Sequence, residues 1–188
     1  MTKIENYKNQ TIENTEINEN FEELEITNST LNKVDFQNTT FNYLEINNSK
    51  IKNSVFANIN LANQSFYKTT FENSSFLGTN FSNAFLKEVE FIDCNLSYAT
   101  FSMAELDKVT FKNCNLKETS FYKMNQKKLQ FENCNLAGID VFETNLEKID
   151  IRTCNINHIK IDIPSMKGLI VNETQALALA KFLQITIE

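Results

Sequence analysis

Four cysteines at a constant interval are the residues whose type and spacing first suggest chemistry. They lie twenty residues apart and are Cys94, Cys114, Cys134 and Cys154. Thiolates hold zinc at about 2.3 Å when they surround the ion as a tetrahedron. A constant interval in a repeating chain places the sulfurs in a straight column, which cannot surround one ion. We therefore expect no metal, and reduced thiols that fill small spaces in a core, as the cytosol favours.

The single histidine and the acidic side chains offer little for catalysis. His158 has no nucleophile or second base at a recognisable spacing. The carboxylates Glu72, Glu90, Glu132 and Asp150 are spread along a predicted face, as is typical of a solvated surface. The chain also lacks the glycine-rich motifs that bind phosphates and dinucleotides. The sequence therefore predicts neither an enzyme nor a cofactor.

The net charge of −6 is unevenly distributed along the chain. Residues 1–48 hold nine acidic and three basic residues, whereas residues 49–188 hold fifteen of each. The basic patch typical of nucleic-acid binding is absent. Residues 1–10 contain no secretory apolar region, and no run approaches the roughly 18 apolar residues that span a membrane. We expect a cytoplasmic protein that binds neither nucleic acid nor membrane.

A period of five residues organises the chain. From Phe21 to Val171, 30 of the 31 positions at this interval are apolar, and they include 13 of the 16 phenylalanines. A smaller inward position lies two residues earlier, as at Ser54, Thr79 and Ala104. Helices repeat every 3.6 residues and strands every two, so neither produces this period. The chain must turn a corner every five residues and point one large side chain inward each time.

This pattern resembles the pentapeptide-repeat family over residues 21–171. The resemblance implies an all-β fold, a right-handed quadrilateral β-helix with four pentapeptides in each coil. The interval of twenty between cysteines supports a coil of that length independently. Seven to eight coils at about 4.8 Å would make a rod of about 35–40 Å. We expect a core stack on one face, formed by Phe71, Phe91, Phe111 and Phe131.

The two ends of the chain depart from the repeat, as an open solenoid requires. Apolar residues in segment 1–20 keep the period but meet Phe21 one residue out of register, so we expect an irregular N-terminal cap. Segment 172–188 predicts a short C-terminal α-helix from about 173 to 183, followed by a strand. One face of this helix can cover the last coil, which leaves other apolar side chains without a partner. A self-complementary patch of this kind favours a homodimer. Its predicted interface consists of Leu179, Phe182, Leu183, Ile185 and Ile187.

We call the 31 positions of the five-residue series core centres, and Gln126 is the one polar residue among them. Two interpretations stay open: Met124 fills the space while Gln126 turns outward or bonds to the backbone, or the irregularity marks a contact site. Outward aromatic residues give a second set of contact candidates, because aromatic side chains often anchor interfaces, although scattered surface aromatics are also common. The candidate partner surface therefore comprises Tyr67, Phe85, Tyr122, Phe142 and Gln126.

The C-terminal segment 168–183 resembles the end of the quinolone-resistance (Qnr-type) pentapeptide-repeat proteins. The resemblance implies a dimer joined end to end through the terminal helices. It also implies that the rod mimics B-DNA, binds DNA gyrase or topoisomerase IV, and protects the enzyme from quinolones. Such mimicry works because the DNA-binding surface of the enzyme is basic. The alternative is a structural rod with a different protein partner, and a continuous negative face would distinguish the two.

Overall fold

The computed structural model describes residues 2–184 and is a parallel β-solenoid of about eight coils. Strands pair in parallel with strands one coil before or after them. Phe91, for example, lies between Phe71 and Phe111 in the same sheet. From residue 20 onward the register advances by twenty residues per coil, as the cysteine interval predicts. The predicted right-handed quadrilateral β-helix is confirmed.

Sixteen short strands form three sheets in the described part of the chain. The first sheet contains β1 (Lys3–Lys8), β3 (Asn20–Thr27), β5 (Thr40–Asn47), β7 (Ser65–Tyr67), β9 (Phe85–Lys87), β11 (Glu105–Asp107) and β13 (Asn125–Lys127). The second contains β2 (Thr11–Glu16), β4 (Thr30–Asp35), β6 (Lys50–Lys52), β8 (Thr70–Glu72), β10 (Glu90–Ile92), β12 (Thr110–Lys112) and β14 (Gln130–Glu132). The third pairs β15 (Asp140–Val141) with β16 (Lys160–Ile161). On the remaining face, single bridges such as that between Asn115 and Asn135 connect the coils.

The corners between faces use left-handed backbone two residues after a core centre. Asn53, Asn73, Asn113 and Asn133 all occupy such corners, with φ angles of 51°, 48°, 53° and 52°. Asparagine tolerates this region better than most residues because its short side chain can bond locally. The chain can therefore turn at every fifth residue although it contains only three glycines.

The core is built from phenylalanine rings stacked along the rod. The rings of Phe71, Phe91, Phe111 and Phe131 follow one another with centroid separations of 5.1, 5.0 and 5.4 Å. Their planes differ by 11° to 15°, so the rings lie nearly parallel. A second stack on the next face brings Phe56 within 4.9 Å of Phe76. This continuous apolar interior holds the faces at fixed positions.

The N-terminal segment forms an ordered coil that is one residue short. In this segment, for which the sequence predicts an irregular cap, β1 and β2 pair in parallel with the next coil, and the register shifts between Lys3 and Ile4. Tyr7 pairs with Ile26 and Ile12 with Leu31, an offset of nineteen residues instead of twenty. The register shift seen in the sequence is thus absorbed within a coil, because a residue can be removed at a corner without breaking the ladder.

The C-terminal end is closed by α1 (Glu173–Ala180), which continues as a 3-10 turn over Lys181–Leu183. Asn172 caps the helix: its side chain accepts a bond from the Gln175 N–H, and the Gln175 side chain accepts from the Asn172 N–H, both at 2.9 Å. The Gln175 amide also donates to the Ile151 and Cys154 carbonyls at 2.8 Å, which ties the helix to the solenoid. The predicted terminal strand lies outside the described residues. Between residues 2 and 184, no helix has the length and apolar character needed to cross a bilayer.

Candidate functional site

The cysteine column lies inside the solenoid and forms hydrogen bonds to backbone carbonyls. The Cys114 thiol donates to the Phe91 carbonyl and the Cys134 thiol to the Phe111 carbonyl, both at 3.3 Å. Cys94, Cys114 and Cys134 are 2% exposed, and Cys154 is 7% exposed. A hydrogen bond with Cys114, followed by burial, raises the pKa of Cys134 to about 12. A protonated, buried thiol is a poor nucleophile and a poor metal ligand, and among residues 2–184 no cluster of ligand side chains suits a metal ion.

The other residues considered for chemistry lie on the surface. His158 is exposed at a corner with a φ angle of 59°. Glu72 pairs with Lys52 at 3.2 Å, Glu132 with Lys112 at 3.5 Å, and Asp150 with Arg152 at 2.7 Å. These three carboxylates therefore belong to surface ion pairs. Glu90 is exposed to solvent.

Strands β3 and β5 carry a cluster of four carboxylates, which we call the acidic face. It comprises Glu22, Glu23, Glu25 and Glu45. Glu25 and Glu45 are direct neighbours in the parallel ladder. Among the described residues, Glu5 is the only carboxylate of segment 1–48 that forms an ion pair, with Lys3 at 3.1 Å. The negative charge of the acidic face is therefore left without basic partners.

The pKa of Tyr43 is raised by the carboxylates of the acidic face. Its hydroxyl donates to the Glu45 carboxylate at 2.7 Å. This hydrogen bond, then partial burial and the charges of Glu45, Glu25 and Glu23, raise the pKa of Tyr43 to about 12. Ionising the phenol would add a negative charge beside three carboxylates, so the neutral form is favoured.

The central and C-terminal coils carry charges that neutralise one another. Glu88 pairs with Lys108 on the next coil at 2.9 Å. Glu118 pairs with Lys160 two coils away, also at 2.9 Å. Opposite charges therefore lie close to one another on these coils, and the acidic face ends near the third coil. The excess of negative charge therefore lies at the N-terminal end of the rod.

The four aromatic residues of the predicted partner surface form two separate pairs. Phe85 is 41% exposed, and Tyr67 lies one coil away with its ring 4.9 Å from the Lys68 ammonium. Phe142 is 39% exposed, and Tyr122 lies on the preceding coil, where its hydroxyl donates to Glu143 at 3.0 Å. The structure thus does not bring the two pairs together in one patch.

Two more exposed side chains were missed by the sequence analysis. Tyr98 is 58% exposed and Met103 is 49% exposed. Both occupy left-handed corners, with φ angles of 59° and 57°. The signal that could have found them is their position two residues after a core centre, which always points outward in this fold.

Gln126 lies at a break between two coils. Met124 is 3% exposed and fills the core, while Gln126 is half-buried and its amide donates to the Asn145 carbonyl at 3.2 Å. Strands β13 and β14 are the last strands of the two long sheets. Beyond them a cleft of about 850 Å³ opens between segments 126–132 and 147–153, which we call the coil cleft. The two interpretations of Gln126 are therefore compatible, because the residue bonds to the backbone and also borders an irregular surface.

An apolar groove of about 600 Å³ lies between the C-terminal helix and segment 163–171, and we call it the C-terminal groove. Its rim includes Leu183 and Ile163, which are 50% and 56% exposed. The prediction that Phe182 lacks an intrachain partner is wrong, because its ring packs against the protein's own core. Leu179 is only 8% exposed and also belongs to that core, since it faces the last coil. Ile185 and Ile187 lie outside the described residues.

Comparison with known proteins gives matches at the level of family and fold. The family model for the pentapeptide repeat region matches residues 64–141 and 105–176. Trypsin-treated QnrB1, described as a plasmid-mediated fluoroquinolone resistance protein, is 16% identical with a TM-score of 0.44, and the match covers 98% of this chain and 100% of that one. HetL from the cyanobacterium Nostoc sp. strain PCC 7120, described as a pentapeptide repeat protein involved in heterocyst differentiation regulation, is 12% identical with a TM-score of 0.36, and the match covers 87% and 86% of the two chains. No curated protein matches the sequence.

Proposed function

Since this chain belongs to the pentapeptide-repeat family, we propose that it is a non-enzymatic rod that mimics DNA and binds a type II topoisomerase, either DNA gyrase or topoisomerase IV. The acidic face is the surface that would occupy the enzyme's basic DNA site. The observation that carries the proposal is the ladder contact between Glu25 and Glu45, two carboxylates on successive coils with no basic partner in the described residues. By occupying the DNA site, the rod would modulate the sensitivity of the enzyme to quinolones.

The spacing of the acidic face suits this role. Successive coils repeat at about 4.8 Å along the rod, the distance between neighbouring strands of a sheet. Phosphates of one DNA strand repeat at about 3.4 Å along the duplex axis. Both arrangements present a line of negative charges a few ångströms apart on a stiff support, so a basic groove can neutralise either one. Because the support is rigid, the carboxylates need little ordering when they bind.

A homodimer through the C-terminal groove completes the proposed assembly. Ile163 and Leu183 are large apolar side chains at the rim of the groove, and their exposure is typical of an interaction surface. A second copy related by a two-fold axis would cover both rims at once. The two acidic faces would then lie at opposite ends of a longer rod.

A second candidate function is a protein-interaction rod with a different partner. The ion pairs of the central coils favour it, because the pairing of Glu88 with Lys108 and of Glu118 with Lys160 interrupts the negative charge. A partner that binds these coils would rely on exposed aromatic and apolar side chains, such as Phe85 and Tyr98, more than on charge.

A gyrase supercoiling assay, with and without a quinolone, tests the first proposal. We expect the purified protein to change supercoiling or to relieve quinolone inhibition. Replacing Glu23, Glu25 and Glu45 together by glutamine should abolish the effect. The matched control removes the same charge from the central coils through Glu90→Gln, Glu105→Gln and Glu132→Gln, and should leave it intact. A wild-type protein with no effect under either condition would favour the second candidate.

A further inference from the structure

The backbone ladder between successive coils is interrupted at one place on two adjacent faces. In the preceding coil, the Lys108 N–H donates to the Lys127 carbonyl at 2.7 Å, and the Gln130 N–H donates to the Val109 carbonyl at 3.0 Å. The equivalent donors one coil later are the N–H groups of Lys128 and Asp150. Neither has a hydrogen-bond acceptor among residues 2–184. Both edges of the coil cleft therefore carry unpaired backbone groups, and such edges can accept an added strand.

The cleft is bounded and held open by specific contacts. At one end the Gln126 amide reaches across to the Asn145 carbonyl at 3.2 Å. At the other end the Thr153 hydroxyl accepts a bond from the Asn133 N–H at 3.0 Å. On the two opposite faces the coils stay in contact, for example where β15 pairs with β16. The two coils are thus separated on two faces only. The cleft between the Gln126 and Thr153 contacts is open in the free protein.

The floor of the cleft is apolar and its free charges are positive. Phe131, the last ring of the core stack, is 7% exposed there, whereas Phe111 is fully buried. The acidic residues on the rims are paired, as Asp150 is with Arg152 at 2.7 Å and Glu147 is with Lys148 at 3.7 Å. Lys127 and Lys128 form no ion pair within the described chain. A bound group should therefore carry negative charge near these two lysines.

We propose that the coil cleft binds an extended, acidic peptide segment of a partner protein by strand addition. The main chain of the peptide would bond to the Lys128 and Asp150 N–H groups, and its acidic side chains would contact Lys127 and Lys128. Side chains on the other face of the peptide would lie over Phe131, as alternation along a strand dictates. A volume of about 850 Å³ falls within the range of roughly 300–1,000 Å³ that is typical of ligand sites.

The coil cleft lies toward the opposite end of the rod from the acidic face. It should bind negatively charged groups, whereas the acidic face should bind positively charged ones. Binding there does not depend on the topoisomerase proposal. Variants in the coil cleft should leave the supercoiling assay unchanged, so the failure of one proposal is distinguishable from the failure of the other.

The test uses the full-length protein and a fluorescein-labelled, eight-residue peptide of alternating glutamate and valine, with binding followed by fluorescence anisotropy. We expect saturable binding, which weakens about tenfold when lysine replaces glutamate in the peptide. N-methylation of alternate peptide bonds should abolish binding, because it removes main-chain donors. In the protein, Lys127→Asn with Lys128→Asn should weaken binding about tenfold. The matched control is Lys117→Asn with Lys33→Asn, because Lys33 shares the left-handed φ angle of 56° with Lys128.

Hydrogen exchange gives a second readout that does not depend on a variant. In the free protein, the amides of Lys128 and Asp150 should exchange faster than that of Lys108, and bound peptide should slow both. The proposal is overturned if the two amides are already protected in the free protein. It is also overturned if the glutamate and lysine peptides bind equally, or if the N-methylated peptide binds as well as its parent.

Discussion

The rings of Phe91 and Phe111 lie on successive coils with their centroids 5.0 Å apart and their planes 11° apart. Both residues are fully buried, and Phe131 continues the same stack one coil further. This column of rings shows how the solenoid is stabilised: each large side chain contacts its counterparts above and below. Removing one ring leaves a gap that neither neighbour can fill without moving its own coil.

Truncation in the middle of the core stack should destabilise the protein strongly. We expect Phe111→Ala to lower the free energy of unfolding by about 3–5 kcal/mol, because it leaves a cavity between Phe91 and Phe131. Phe85→Ala is the matched control: this ring is 41% exposed, and its loss should change stability by about 0.5 kcal/mol or less. Chemical denaturation measures both values. A loss below about 1 kcal/mol for Phe111→Ala would contradict the packing described here.

The four thiols should resist modification in the native state. Cys94, Cys114 and Cys134 are 2% exposed, and a hydrogen bond with Cys114 together with burial raises the pKa of Cys134 to about 12. Since the thiolate is the reactive form, labelling by a thiol reagent at neutral pH should be slow. Denaturant should make all four accessible, whereas rapid labelling of all four without denaturant would be incompatible with a buried column.

The Tyr43 phenol should ionise at a higher pH than an ordinary tyrosine. Its pKa is raised from 10.0 to about 12, first by the hydrogen bond to Glu45 and then by partial burial and nearby carboxylates. A neutral donor bonded to a carboxylate resists ionisation, so Glu45→Gln should bring the midpoint down toward 10.0, and Glu25→Gln should lower it less. Titration of the tyrosine ring by NMR measures these midpoints. A wild-type midpoint near 10.0 would show that the acidic face exerts no such field.

Charged residues at the rim of the C-terminal groove should separate the proposed homodimer. We expect Ile163→Glu with Leu183→Glu to give a monomer with an unchanged circular-dichroism spectrum, because both side chains are at least half exposed in one copy. Leu177→Glu is the control, since this residue is 58% exposed but does not line the groove. Sedimentation velocity gives the oligomeric state. Leu179 is unsuitable for this test because a charge there would disrupt the core, and a wild-type monomer at micromolar concentration would refute the dimer.

The interior of the solenoid could be predicted from the sequence because every coil repeats the same contacts. The period of five places Phe111 between Phe91 and Phe131, and the cysteine interval sets the coil at twenty residues. The contacts of Leu179 and Phe182 could not be predicted, since a helix has several faces and the sequence does not say which one meets the last coil. The coil cleft was marked only by Gln126. Its shape depends on distant bonds, such as that from the Lys148 N–H to the Gly168 carbonyl at 2.9 Å, which no local pattern encodes.

The most direct test of the central proposal is competition with DNA for the topoisomerase. A fluorescently labelled duplex bound to purified gyrase is titrated with this protein, and its release is followed by anisotropy. We predict that the wild type displaces the duplex and that the variant without the charges of Glu23, Glu25 and Glu45 does so at least about tenfold less effectively. Release should also weaken as salt is added, because the contact is electrostatic. If the duplex stays bound at saturating wild-type protein, or if the variant displaces it equally well, the acidic face is not a DNA mimic for this enzyme.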